Sequence, residues 1–195
     1  MTSAAQHRRR FPRPRLHRSD ILYRGRVIRL IREELELRGH RFVRETIQHP
    51  GAVVIVPLLP GPRVVMLHQY RRSIRRELLE LPAGTLDRRE RPQACARREL
   101  EEETGWTAKR FTQLVQFYAA PGFLSERMTI YLAEGLRRVP ARPEPDELVE
   151  PVVLPLRQAL AKISSGEICD AKTIIGLLYL RDRFERVNGA RNPIT

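Results

Sequence analysis

Apolar and polar positions along the chain separate into short β-like runs and two helical stripes. The clearest runs are 51–59 (GAVVIVPLL) and 63–70 (RVVMLHQY), β-branched and apolar, divided by Pro60, Gly61 and Pro62. They predict two central strands joined by a turn. Upstream, 25–37 and 41–48 read as strands around a Gly39-His40 turn, and Val27 and Ile31 alternate with Ile28 and Leu30. Apolar side chains therefore fall on both faces of this hairpin, which then needs a partner as well as a core. Further strands are predicted over 111–118, 128–133 and 148–154. A helix over 155–164 carries Leu156, Ala159, Leu160 and Ile163 at i, i+3, i+4 and i+7 before Gly166. Asp170 suits the N-cap of a last helix whose Ile174, Leu177, Leu178 and Phe184 are expected to face inward.

Composition narrows this picture. The 195 residues suffice for one well-buried domain and not for two ordinary ones. No apolar run approaches the ~18 to 20 residues of a membrane span, the longest covering 52–59, so no membrane contact is expected. Cys95 and Cys169 are the only cysteines, and without a secretory signal they read as free thiols in a reducing cytoplasm. Much of the net charge of +13 lies in residues 1–18, where Arg8, Arg9, Arg10, Arg13, Arg15 and Arg18 stand without an acid. With Pro12, Pro14 and few apolar residues, that tail is expected to be disordered. Such a run can touch nucleic acid, an anionic surface or an acidic partner, but more often it is a solvated tail, which is the reading taken here. It lacks the hydrophobic core of a targeting signal.

The candidate chemistry lies in residues 84–106, GTLDRRERPQACARRELEEETGW. Pro92 suits a first helical turn, Ala94, Ala96 and Leu100 favour helix, and Gly105 is placed to end it. Glu99, Glu102 and Glu103 then stand at i, i+3 and i+4 on one face. Stacked like charges disfavour an isolated helix, and a hard divalent cation with oxygen ligands would offset them. Spacing alone also fits a solvated acidic face paired to Arg97 and Arg98.

The whole pattern resembles the Nudix box, G-x5-E-x7-R-E-U-x-E-E-x-G-U with U bulky and apolar. Gly84, Glu90, Arg98, Glu99, Leu100, Glu102, Glu103, Gly105 and Trp106 occupy every fixed position. The resemblance, spanning about residues 20–187, implies an α/β Nudix fold: an α/β/α sandwich around a mixed β-sheet, with an N-terminal antiparallel β-hairpin. On it the chain divides into a disordered basic tail (1–19), a hairpin region (20–50), the hydrolase domain (51–187) and a flexible C-terminal tail (188–195). It implies a Mg²⁺-dependent pyrophosphohydrolase, with Mn²⁺ as a substitute. The metal set is the Ala83 carbonyl with Glu99, Glu102 and Glu103, while Arg98 and Glu90 shape the loop and hold the helix. Pro121, 15 residues after the box, and the Pro-Gly-x-x-x-Glu shape of Pro121, Gly122 and Glu126 resemble the ADP-ribose pyrophosphatase branch. That branch implies Arg71 and Gly122 at the substrate, Glu126 as general base with Glu102 as second candidate, Glu103 among the catalytic carboxylates, and a homodimer joined by the hairpin. The expected reaction is ADP-ribose plus water giving AMP and ribose 5-phosphate. GDP-mannose or another nucleotide sugar is the alternative substrate. A non-enzymatic nucleotide- or RNA-binding Nudix module would require a lost box carboxylate, and none is missing.

Overall fold

The strand β4 (Ala52–Leu59) sets the layering, because its apolar run does not alternate with polar residues. Val53 and Ile55 pack against Cys95, Ala96 and Leu100 of the helix α1 (Pro92–Thr104). Val54 and Val56 pack the other way, in one cluster with Leu177 and Leu180 of α3 (Ala171–Asn188) and with Leu156 and Ala159 of α2 (Leu156–Ser164). All four valine and isoleucine side chains are fully buried. A strand without alternation is what a sheet covered on both faces requires. The expected α/β/α sandwich is thus present in this computed structural model, which describes residues 11–142 and 148–188.

The central sheet runs β10 (Val149–Pro155), β5 (Arg63–Arg71), β4, β9 (Arg127–Arg138), β8 (Trp106–Tyr118). It is mixed, β4 and β9 being parallel and the other pairs antiparallel. Two short strands leave this path. β6 (Arg76–Glu80) folds back on β5, and β7 (Ala83–Thr85) lies antiparallel to β4, which carries the segment ahead of the box towards α1. Neither short strand is among those that the apolar runs predict. The turn between β5 and β6 passes through Arg75 at φ 54°, a left-handed position without the usual glycine or asparagine.

Ahead of the core stands a separate antiparallel sheet of β1 (Arg15–Arg24), β2 (Arg29–Leu37) and β3 (His40–Gln48). The expected hairpin is β2 and β3. β1 corrects the expectation of a disordered tail to residue 19; residues 1–10 and 189–195, assigned to the two tails, lie outside the described residues. The physical reason is in the partner strand: Arg15 lies opposite Glu36 and Arg18 opposite Glu34, so tail cations meet the acidic run of β2. His17 Nε2 also lies 2.9 Å from Glu36 Oε2.

A further strand runs longer than expected. β8 begins at Trp106, the last position of the box, although Lys109 and Arg110 look loop-like; Arg110 is neutralised across the strands by Glu134 at 3.0 Å. In α3 the buried stripe is Thr173, Gly176, Leu177 and Leu180, and Leu178 is only half-buried. Among the described residues no helix is long and apolar enough to cross a membrane.

Candidate active site

The box helix is built as its sequence predicts. Pro92 opens α1, and Gly105 closes it at φ 66°, its N–H donating to the Glu101 carbonyl. Gly84 in β7 lies so close that a Cβ there would stand 1.9 Å from the Glu99 carboxyl carbon. Any side chain here would displace the Glu99 carboxylate, and glycine lets the backbone touch it. The Ala83 N–H donates to Glu103 Oε2 at 3.0 Å, which ties β7 to the helix one turn further on. Glu99 and Glu103 are both buried.

Arg98 is the electrostatic hub of the helix. Its Nε and Nη2 donate to the two oxygens of Glu90, each at 3.1 Å, and its Nη1 meets Glu99 Oε1 at 2.8 Å and Glu102 Oε2 at 3.0 Å. Hydrogen bonding from Arg98 is the chief reason that the Glu90 carboxyl is held below the usual carboxylate range. The same bond to Glu90 is the main factor raising the Arg98 pKa further. Cys95, facing this cluster from the core, has its thiol pushed up, first by burial and then by the charges of Glu90 and Glu99. It is a packing residue and not a nucleophile.

A cleft of about 1130 Å³ opens beside the helix. Arg71, Ala83, Gly84, Arg98, Glu99 and Glu126 line it together, and Arg26 and Arg29 reach it from the N-terminal sheet. Four of the expected site residues thus meet on one surface: Arg71, Ala83, Glu99 and Glu126. Glu103 sits buried behind them on Ala83. Glu102 turns to Arg98 and borders a separate, smaller recess of about 460 Å³ that Arg98 also lines. Gly122 is exposed in the turn before Glu126 and is not among the cleft residues. Among the described residues no three His, Cys, Asp or Glu side chains are already gathered at one point as a metal cluster.

Glu126 is placed by the end of β3. Ile47 N–H donates to the Phe123 carbonyl at 2.7 Å, Ser125 N–H to the Ile47 carbonyl at 2.9 Å, and His49 N–H to Ser125 Oγ at 3.0 Å. His49 Nδ1 accepts from Gly51 N–H and lies 3.6 Å from Glu126 Oε1.

Sequence reasoning missed a second charged group in the cleft wall. Arg71 Nε and Nη2 donate to Glu80 Oε1 and Oε2 at 2.9 and 2.5 Å, and Lys172 Nζ donates to Glu80 Oε2 and lies 3.0 Å from Asp170 Oδ1. Burial opposes ionisation of Glu80, yet the bond from Arg71 and the charge of Lys172 hold its carboxyl below the ordinary range. Burial likewise opposes the charge of Arg71, and Glu80 more than offsets it. The available signal was an acid inside the apolar run LLELPAG, since a carboxylate among buried neighbours needs a cation.

The NUDIX domain model matches residues 48–174 of the chain. An ADP-ribose pyrophosphatase of Bacillus subtilis (strain 168) is 40% identical over 163 residues, covering 82% of this chain and 88% of that protein. An ADP-ribose pyrophosphatase of Mycobacterium tuberculosis is 38% identical over 165 residues, covering 82% and 79%. Among solved structures, one titled as an ADP compounds hydrolase superposes with a TM-score of 0.81 over 93% of this chain and 98% of its own, at 24% identity, which speaks for the fold.

Proposed function

The chain belongs to the NUDIX family and is a Nudix hydrolase, and from that premise we propose that it cleaves the diphosphate bond of ADP-ribose to give AMP and ribose 5-phosphate. The observation that carries the reading is the meeting of Arg71, Gly84, Glu99 and Glu126 on one cleft large enough for a nucleotide sugar. The two pyrophosphatase relatives support ADP-ribose as the substrate.

Nudix hydrolases generally use divalent metal ions, and the residues here fit one. The donor set is all oxygen, as a hard cation prefers. Gly84 also lets the Glu99 carboxylate lie against the β7 backbone, in the space that a side chain there would take. Mg²⁺, with Mn²⁺ as a substitute, would be held by the Ala83 carbonyl, Glu99, Glu102 and Glu103; when bound it neutralises diphosphate charge and eases deprotonation of a water. The protein's own groups do the rest. Arg71 presents a planar donor pair to the diphosphate oxygens. Glu126 accepts the proton of the attacking water, with Glu102 as second candidate, and the bond between phosphorus and the bridging oxygen breaks to leave two monophosphates. Arg98 and Glu90 hold the helix in register.

The reading includes a homodimer. Leu16, Ile21, Leu22 and Tyr23 are exposed along β1, apolar surface that a second copy would cover, while Arg26 of the turn after β1 reaches the cleft. The two free cysteines suit a reducing cytoplasm. Release of AMP from ADP-ribose in the presence and absence of chelator tests the assignment, and sedimentation tests the dimer: a monomer at micromolar concentration would contradict it.

A further inference from the structure

The carboxylate of Glu80 stands behind the cleft wall with only 1% of its surface exposed, and three cationic N–H groups converge on it. A buried ionic cluster gives little stability over apolar side chains of the same volume, so stability alone does not explain its presence. Its geometry does. Glu80 takes Nε and Nη2 of Arg71 as a fork, which fixes the guanidinium plane and leaves the Nη1 edge, while the Arg71 side chain keeps 34% of its surface open.

The anchor continues away from the cleft. Lys172 joins the second oxygen of Glu80 to Asp170 Oδ1, and Asp170 Oδ2 accepts from Thr173 N–H at 3.0 Å in the first turn of α3. Thr173 Oγ1 accepts from Leu81 N–H at 2.9 Å, so the end of β6 is fastened to the same turn. Strand and helix, 92 residues apart in the chain, therefore converge on one guanidinium.

We propose that Glu80, locked by Lys172, is a positioning residue that holds Arg71 so its remaining edge meets the diphosphate of the substrate. This rests on the hydrolase reading above, in which Arg71 binds phosphate. Glu80 itself touches no substrate; it acts through Arg71.

The test compares Arg71→Ala, the charge-balanced double variant Glu80→Met/Lys172→Met, and the triple variant combining them. The double variant removes the buried pair as a unit and so keeps the fold, which circular dichroism checks. Affinity for inorganic pyrophosphate, measured by calorimetry, reads the proposal whichever sugar nucleotide is cleaved. The proposal expects each of Arg71→Ala and the double variant to weaken it about tenfold or more, with the triple variant no weaker than either, because both losses run through one guanidinium. In turnover the same variants raise KM and change kcat far less. Unchanged affinity in a folded double variant, losses that add in the triple variant, or a wild type without pyrophosphate affinity would each overturn it. A wild type that binds pyrophosphate yet cleaves no ADP-ribose overturns the substrate reading and leaves this one standing.

Discussion

Gly84 and Glu99 meet so closely that a Cβ on Gly84 would lie 1.9 Å from the carboxyl carbon and from Oε1 of Glu99. The first glycine of the box therefore serves the first glutamate of its helix. The glutamate itself, 15 residues further on, is one of the carboxylates proposed to hold the metal.

Gly84→Ala is accordingly expected to displace the Glu99 side chain. Overpacking of this kind costs about 1 to 3 kcal/mol of stability, and a misplaced carboxylate of the reacting site costs about a hundredfold in kcat/KM. Thermal melts and steady-state kinetics on the same sample check both. A variant with wild-type activity would mean that Glu99 is free to move without consequence.

Arg98→Lys should loosen the box helix, because one ammonium cannot reproduce the fork onto Glu90 and the contacts to Glu99 and Glu102 together. The pair is partly exposed, so the expected loss is only about 1 kcal/mol, read as a lower urea midpoint at unchanged slope. The drop in activity should exceed what unfolding explains.

Stability should fall in acid through Glu80 and Glu90. Both carboxyls are held below their ordinary value of 4.5, so below it the unfolded chain takes up protons that the folded chain refuses. Their contribution is complete above that value and is lost as pH falls through the lowered ones. Glu80→Met/Lys172→Met removes the share of Glu80, and the difference in urea midpoint between about pH 7 and about pH 3 should shrink relative to wild type. An unchanged difference would show that Glu80 does not titrate with unfolding.

Glu126→Gln should lower kcat by about a hundredfold to ten-thousandfold while KM changes little, as removal of a general base does. If Glu102→Gln has that effect and Glu126→Gln does not, the base is Glu102, although in this structure Arg98 holds it away from the cleft.

The parts readable in the sequence share one property: their determinants are close together along the chain. Pro92 and Gly105 bracket α1 within 14 residues, and β4 announces a doubly covered strand by being apolar throughout. The parts missed depend on distant partners. β1 looks like a solvated tail until Glu34 and Glu36 are placed opposite its arginines. β6 follows a turn whose left-handed residue is an arginine. Arg71 was expected to serve phosphate alone, and its carboxylate Glu80 is held by a lysine 92 residues downstream. Gly122, expected beside the substrate from the Pro-Gly shape, stands in the turn that presents Glu126.

Hydrolysis of ADP-ribose beside GDP-mannose, with Mg²⁺ and with chelator, and with nucleotide products identified, tests the central claim most directly. The account predicts AMP and ribose 5-phosphate from ADP-ribose at a rate well above any release of GMP from GDP-mannose, abolished by chelator and strongly reduced in Glu126→Gln. Faster cleavage of GDP-mannose, or AMP release that survives chelation, would contradict it.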